Sequence, residues 1–227
     1  MDLVRRVKHL IGMIIYLPGK IIRRKLKSFR LRLRGRGVLR KIHTEFTNCG
    51  IEYFADFGTL LGFVRERGYI AHDVDMDFSI MPGYEPSKVL DVLESAGFEF
   101  MRAFEYEGQI TELTMSYNSV PIDFFFLGEE NGRLISRIYY SELKSMHLGM
   151  KGNVYVRPDI KNIVRYEVLG ETACIPENYD ELLRLHYGNW RKKDSRWHYV
   201  TSGGDGEIRH TLPGYAHVVD RDRVCRG

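Results

Sequence analysis

The 227-residue chain predicts an α+β domain behind a basic helical arm, and three observations carry that prediction. Hydrophobic residues make up 44% of the chain, enough to fill a core at the size of one ordinary domain. From residue 38 onward, segments of helical period alternate with segments whose apolar period is two. Charge is also divided unevenly. Of the 34 Lys and Arg, 14 lie in the first 41 residues against one acid, Asp2, which leaves 20 basic and 29 acidic residues downstream. An arm near +13 joined to a body near −9 calls for an anionic partner.

Residues 1–37 form the arm. Pro18-Gly19 is expected to break it into two helical pieces, and Arg23, Arg24, Lys25, Lys27, Arg30, Arg32 and Arg34 make the second piece cationic. Residues 1–34 are therefore candidates for an anionic membrane surface; a basic helix packed on the body is the competing reading. Nucleic acid is not expected, because no groove-reading motif or stacking platform accompanies the charge. The apolar run Leu10 to Leu17 falls short of the about 20 residues a membrane span needs. Cys49, Cys174 and Cys225 match neither a disulfide framework nor a zinc ribbon, and they suit a reducing cytosol. Together these features predict a cytoplasmic protein, peripheral on the inner membrane.

Gly35 and Gly37 are expected to separate the arm from a helix at Val38 to Cys49, with Leu39, Ile42 and Phe46 on one face. A strand follows from Ile51 to Phe57, a short helix from Leu60 to Arg67, and a strand from Asp73 to Met81 ended by Pro82-Gly83. Pro86 to Ala96 reads as a helix with Val89, Val92 and Leu93 inward. Strands are expected at Phe98 to Tyr106, Ile110 to Tyr117 and Val120 to Leu127, the last two joined by an Asn118-Ser119 hairpin. Asn178 to Tyr187 is the last clear helix, and the final 30 or so residues are polar and poorly periodic.

The chemistry is concentrated in Asp73-Val-Asp-Met-Asp-Phe-Ser-Ile80. On a strand, a period of two sends Asp73, Asp75 and Asp77 to one face. Like charges so close repel unless a cation lies among them, and oxygen-only ligands suit Mg²⁺ or Mn²⁺, which fills out its shell with substrate phosphates. A solvated acidic strand face is the plainer alternative. Upstream, Asp56-Phe-Gly-Thr-Leu-Leu-Gly62 opens a helix after a strand, where Gly58 and Thr59 are candidates to meet a phosphate. Thr59 also reads as an ordinary helix cap. In the apolar segment Val120 to Leu127 the one carboxylate is Asp123, a candidate proton acceptor or metal neighbour unless it sits on an edge facing water.

The ordered set resembles the LicD and fukutin family. Tyr53 to Phe78 carries its Gly-Thr-Leu-Leu-Gly helix start, its Arg, its Gly and its tight Asp cluster. Asp123 lies in a segment similar to that family's Asp-Ile-Phe-Pro-Leu element, and Ile175 to Gly188 is similar to its C-terminal Pro-Asn-Tyr and Tyr-Gly helix. The resemblance covers roughly residues 38–195, taken as the catalytic domain, with 196–227 as a C-terminal extension. It implies a nucleotidyltransferase-like fold of the DNA polymerase beta type, a mixed sheet flanked by helices. It also implies transfer of a phosphorylated alcohol, such as phosphocholine or ribitol phosphate, from a CDP-linked donor to a glycan of lipopolysaccharide, capsule or teichoic type.

By the motif match, Asp75 and Asp77 hold the metal with Asp73 in reserve, Asp123 is the third carboxylate, and Gly58 and Thr59 lie by the donor phosphates; Arg65 matches the family's Arg and is a candidate for the same phosphates, with a salt bridge to a neighbouring acid as the equal alternative. His72, just before the cluster, is a candidate contact for either substrate, or simply a turn residue. Two departures from the family pattern stand out: Val74 replaces an Asp, and Phe126 replaces a Pro. The alternatives are a nucleotidyltransferase that releases pyrophosphate from an NTP, and an inactive membrane-associated scaffold in glycan assembly. His186 and Tyr187 are expected to pack on the core. The segment Trp190 to Trp197 is either a glycan grip or a solvated basic turn.

Overall fold

The computed structural model describes residues 2–140, 149–194, 196–198, 202–204 and 207–227, with side chains from residue 21 onward. Helix α1 runs unbroken from Asp2 to Cys49. The expected break at Pro18-Gly19 is absent: losing one N–H removes a rung of the helical ladder without ending the helix. The side chains of the apolar run at residues 10–17 lie outside the described residues.

Gly35 and Gly37 also lie inside α1 rather than between two elements. The role of Gly35 is close packing, since a β-carbon there would come within 2.6–2.9 Å of the Tyr69 ring. Leu31, Val38, Leu39, Ile42 and Phe46 form the inward face of α1 and are buried. The helix is thus anchored from Ser28 onward, where the Ser28 hydroxyl donates to the Ala71 carbonyl at 2.8 Å.

A six-stranded sheet of order β1-β2-β5-β4-β3-β12 forms the centre of the fold. Its strands are β1 (Tyr53–Ala55), β2 (Met76–Ile80), β3 (Glu99–Tyr106), β4 (Gln109–Tyr117), β5 (Val120–Phe126) and β12 (His217–Val219). The β2–β5 pairing is parallel and the other pairings are antiparallel, so the sheet is mixed. One face is apolar: Met76, Phe78, Ile80, Ile122, Phe124, Leu113 and Met115 are fully buried. Phe46 of α1 packs on it, its ring 5.5 Å from that of Phe124. Helix α3 (Pro86–Ser95) adds Val89, Leu90 and Leu93 to this core; Val92, expected inward, is only partly buried.

The Asn118-Ser119 hairpin is present, and both residues have positive φ (52° and 61°), as a two-residue turn compatible with strand twist requires. Strand β2 begins later than expected, at Met76, which leaves Asp73, Val74 and Asp75 in the segment that leads into it. The short helix comes earlier than expected, as α2 (Phe57–Leu61) followed by a π-helical turn over Gly62–Glu66.

The region after Gly132 is richer in strands than its sequence suggests. Strands β6 (Gly128–Glu130), β7 (Arg133–Tyr140), β8 (Lys151–Val156) and β11 (Ile208–Thr211) form a second sheet of order β11-β8-β7-β6. Phe104 and Tyr106 of β3 share a small apolar cluster with Ile135, Tyr139, Val154 and Leu212 of this second sheet region. Strands β9 (Ile163–Val168) and β10 (Glu171–Pro176) form a hairpin against α1, where Glu171 takes hydrogen bonds from Arg36 Nε (2.6 Å) and Arg40 Nε (2.9 Å). Helix α4 (Tyr179–Tyr187) and a short C-terminal helix, α5 (Arg221–Arg226), complete the molecule. The C-terminal stretch expected to lack period thus contributes β11, β12 and α5.

Candidate functional site

The face of the central sheet opposite α1 carries a polar row. Asp77 of β2 is registered with Asp123 of β5, Asp123 with Thr114 of β4, and Thr114 with Arg102 of β3. Strand alternation puts all four on one face, since their sequence neighbours Met76, Phe78, Ile122, Phe124, Leu113 and Met115 occupy the core. The row is hydrogen-bonded from one end: Arg102 Nε donates to Thr114 Oγ (3.2 Å), and Thr114 Oγ donates to Asp123 Oδ1 (2.6 Å). Asp123 is therefore on an interior strand with a dedicated donor, not on a water-facing edge.

Asp73 and Asp77 converge on the start of α2. A β-carbon on Gly58 would lie 3.1 Å from Asp73 Oδ2 and 3.5 Å from Asp77 Oδ2, so the bare glycine is what leaves these carboxylates their room. Thr59 is buried and its hydroxyl accepts the Asp77 N–H at 2.8 Å, tying α2 to β2. In this structure Gly58 and Thr59 thus serve the acidic residues directly. Asp75 sits in the bend before β2 rather than on the strand, which corrects the expectation of one strand carrying all three acids.

Electrostatics mark the cluster. Burial, then Asp75, pushes Asp73 up to about 7. Burial raises Asp123 to about 6 even though the Thr114 hydroxyl favours its charged form. Asp77 is raised well above the usual carboxylate range by burial and then by Asp75, Asp123 and Asp73, and Asp75 is raised by burial. Glu112, two residues before Thr114 on β4, is raised by burial and then by Asp123. Four cations oppose these shifts: Arg24 and Arg65 act on Asp73, Lys27 on Asp75 and Asp123, and Arg102 on Asp75, Asp123 and Glu112. Among the described residues, none of Asp73, Asp75, Asp77 and Asp123 is ion-paired.

Asp56 has a different task. It caps α2 by accepting the Phe57 N–H (2.8 Å), accepts the Ser79 hydroxyl (2.6 Å) and forms a buried ion pair with Arg157. Phe57 adopts φ 43° at this turn, and its ring packs edge-on against Phe125 and His186. Arg65 donates to Glu66 Oε1 (2.8 Å) and to the Trp190 carbonyl (3.1 Å), while its charge bears on Asp73. His72 is exposed in the turn before the cluster.

His186 and Tyr187 pack into an aromatic group with Phe57, Tyr155 and Trp197. Trp190 is buried, its indole N–H donating to Asp180, so this tryptophan braces α4 rather than forming a platform for a glycan.

The family model described as LicD/FKTN/FKRP, nucleotidyltransferase domain, matches residues 50–178. The chain belongs to that family. Membership of the LicD/FKTN/FKRP family points to a transferase, in a glycan-modifying role of the phosphotransferase type. The match spans Asp56, Gly58, Thr59, Arg65, His72, the three clustered aspartates, Arg102, Glu112, Thr114, Asp123 and Arg157. Arg24 and Lys27 of α1, and Tyr187 of α4, come from outside the LicD/FKTN/FKRP segment. No curated protein matches the chain.

Sequence reading missed Arg102, Thr114, Glu112, Arg24 and Lys27. The signal for Thr114 and Glu112 was present, as polar residues alternating with Leu113 and Met115, but identifying them required the β4–β5 register. Arg24 and Lys27 were masked by the other cations of the arm. Among the described residues, no helix is long and apolar enough to cross a membrane.

Proposed function

We propose that the chain is a divalent-cation-dependent phosphotransferase of nucleotidyltransferase-like fold. It moves a phosphorylated alcohol from a CDP-activated donor to a hydroxyl of a cell-surface glycan. The observation that carries this reading is the pairing of Asp77 with Asp123 at adjacent positions of two parallel strands, with Asp73 and Asp75 beside them and no ion-pair partner among the described residues.

Such a set fits Mg²⁺ or Mn²⁺ by its chemistry: hard oxygen donors only, crowded enough that mutual repulsion and burial raise their pKa values. Among the described residues no three acidic, His or Cys side chains converge into a ready-made cage. An ion bound here would therefore take one or two carboxylates and complete its shell with substrate phosphates and water. Asp75 and Asp77 would hold it, with Asp73 in support, and bound there it supplies charge neutralisation for the donor phosphates.

The chain's own groups account for the rest. Asp123 accepts the proton of the attacking glycan hydroxyl, oriented by the Thr114 hydroxyl that Arg102 holds in place. The hydroxyl oxygen bonds to the distal phosphorus, the bond to the bridging oxygen breaks, and CMP leaves. Arg24, Lys27 and Arg65 lie on the acidic cluster's flank, where they attract the donor's negative charge. A nucleotide donor and free cysteines among the described residues go with a cytoplasmic setting.

The test is incubation of the full chain with Mg²⁺ or Mn²⁺ and CDP-choline, CDP-ribitol or CDP-glycerol. CMP release from one of them is the expected result. Pyrophosphate release from an NTP would replace this reading with nucleotidyl transfer, and absence of any metal-dependent CDP binding by calorimetry would replace it with a scaffold.

A further inference from the structure

Helix α1 presents two faces of opposite use. Ser28, Leu31, Gly35, Val38, Leu39 and Ile42 turn toward the body. On the other side Ile22, Leu26, Phe29 and Leu33 repeat at intervals of four, three and four residues, which at 3.6 residues per turn draws one straight ridge along the helix. Each of the four is more than half exposed, as is the neighbouring Ile21. A ridge of four large apolar side chains left in water is a cost that a surface helix does not ordinarily carry.

The charges around the ridge say what covers it. At 100° per residue, Arg23 and Arg30 line one edge and Lys25 and Arg32 the other. All four are exposed, and among the described residues none is ion-paired. An apolar ridge between two cationic edges complements a bilayer whose acyl region lies beneath anionic headgroups. A second copy of this helix fits less well, because pairing the ridges would set cationic edges against one another.

The remaining cations of this stretch have other duties. Arg24 and Lys27 lie within electrostatic reach of the aspartates of the site, Arg34 donates to the Asn118 carbonyl (2.8 Å), and Arg36 binds Glu171.

We propose that the ridge Ile22, Leu26, Phe29 and Leu33, with Arg23, Lys25, Arg30 and Arg32 at its edges, is a docking surface for an anionic lipid bilayer. The helix then lies in the plane of the interface, its ridge among the acyl chains and its body-facing side carrying Arg24 and Lys27 to the acidic cluster. One helix thickness, about 10–12 Å, separates the two faces, so the site works close to the membrane surface. Docking is a property of α1 and does not depend on the reaction assigned to the aspartates.

The experiment is co-sedimentation of the full-length protein with vesicles of equal parts phosphatidylglycerol and phosphatidylcholine, and with vesicles of phosphatidylcholine alone. Binding is expected to the anionic vesicles, to weaken with added salt, and to be weak on the neutral ones. Leu26→Ser combined with Phe29→Ser, both on an exposed surface and so compatible with an unchanged thermal transition, should weaken binding by at least about tenfold. Arg23→Gln combined with Arg30→Gln should weaken it by about fivefold for each cation. Unchanged binding by the Leu26/Phe29 variant would overturn the proposal. So would no vesicle binding at all, or a concentration-dependent dimer in sedimentation that this variant abolishes.

Discussion

Asp77 and Asp123 stand side by side across the parallel pairing of β2 with β5, each on the polar face of the sheet and each with its charge disfavoured by burial. Folding alone gives no reason to set two carboxylates together in this way. The sheet supplies Asp123 with one hydroxyl donor, Thr114, and leaves Asp77 bounded by Gly58 and by further acids. The arrangement is the form expected of a site that pays for its chemistry in stability.

Gly58→Ala tests how closely the start of α2 is fitted to the acids. The backbone at Gly58 is helical, so alanine should leave the thermal transition unchanged or slightly raised, while its β-carbon presses on Asp73 and Asp77. Turnover is expected to fall by at least about tenfold, since small displacements of reacting groups are costly. Steady-state rates set beside thermal melts of the same variant check both halves of the expectation.

Thr114 is a positioning residue. Thr114→Val keeps the shape and removes the hydroxyl that donates to Asp123, and should lower kcat by about tenfold with little change in KM for the donor. Thr114→Ser restores the hydroxyl and should recover most of the rate. Equal loss in both variants would assign Thr114 to packing alone.

Asp56 should behave in the opposite way to Asp77, although both lie in the same motif. It forms a buried pair with Arg157 and caps α2, so Asp56→Asn leaves a guanidinium buried without its counter-charge. A loss of about 3 kcal/mol or more in denaturant unfolding is expected.

The lesson for reading the sequence lies in these two aspartates. The Gly-Thr turn, the tight Asp cluster and Asp123 were legible because they are short-range patterns, and the central strands were legible from their period. Which acid is structural was not legible, because Arg157 lies 101 residues away and reaches Asp56 only in the folded chain. Strand propensity also extended β2 back over Asp73 and Asp75, whereas β2 begins at Met76 beside β5. The helix break expected at Gly35 fails for a related reason: the body packs along α1 from Ser28 onward, and Gly35 is the gap through which Tyr69 approaches. Local turn chemistry proposes an ending that tertiary contact overrides.

Glu171 gives the docking of α1 on the β9–β10 hairpin a pH signature. Hydrogen bonds from Arg40 and Arg36 hold its carboxyl at about 2, below the ordinary 4.5. Its ionised form therefore stabilises the fold fully above pH 4.5, and that contribution is lost progressively as pH falls from 4.5 toward 2. Melting temperatures followed over this window should fall more steeply for the parent chain than for Glu171→Gln, whose melting temperature at neutral pH should already be lower.

The central claim is that Asp77 and Asp123 carry a phosphoryl transfer. The direct measurement is metal-dependent CMP release from the CDP-linked donor that the parent chain accepts, compared with Asp77→Asn and Asp123→Asn. Both variants should fold, with thermal transitions at or above that of the parent because a repelling charge is gone, and both should lose activity by about a thousandfold or more. Retained turnover in either well-folded variant would contradict the account.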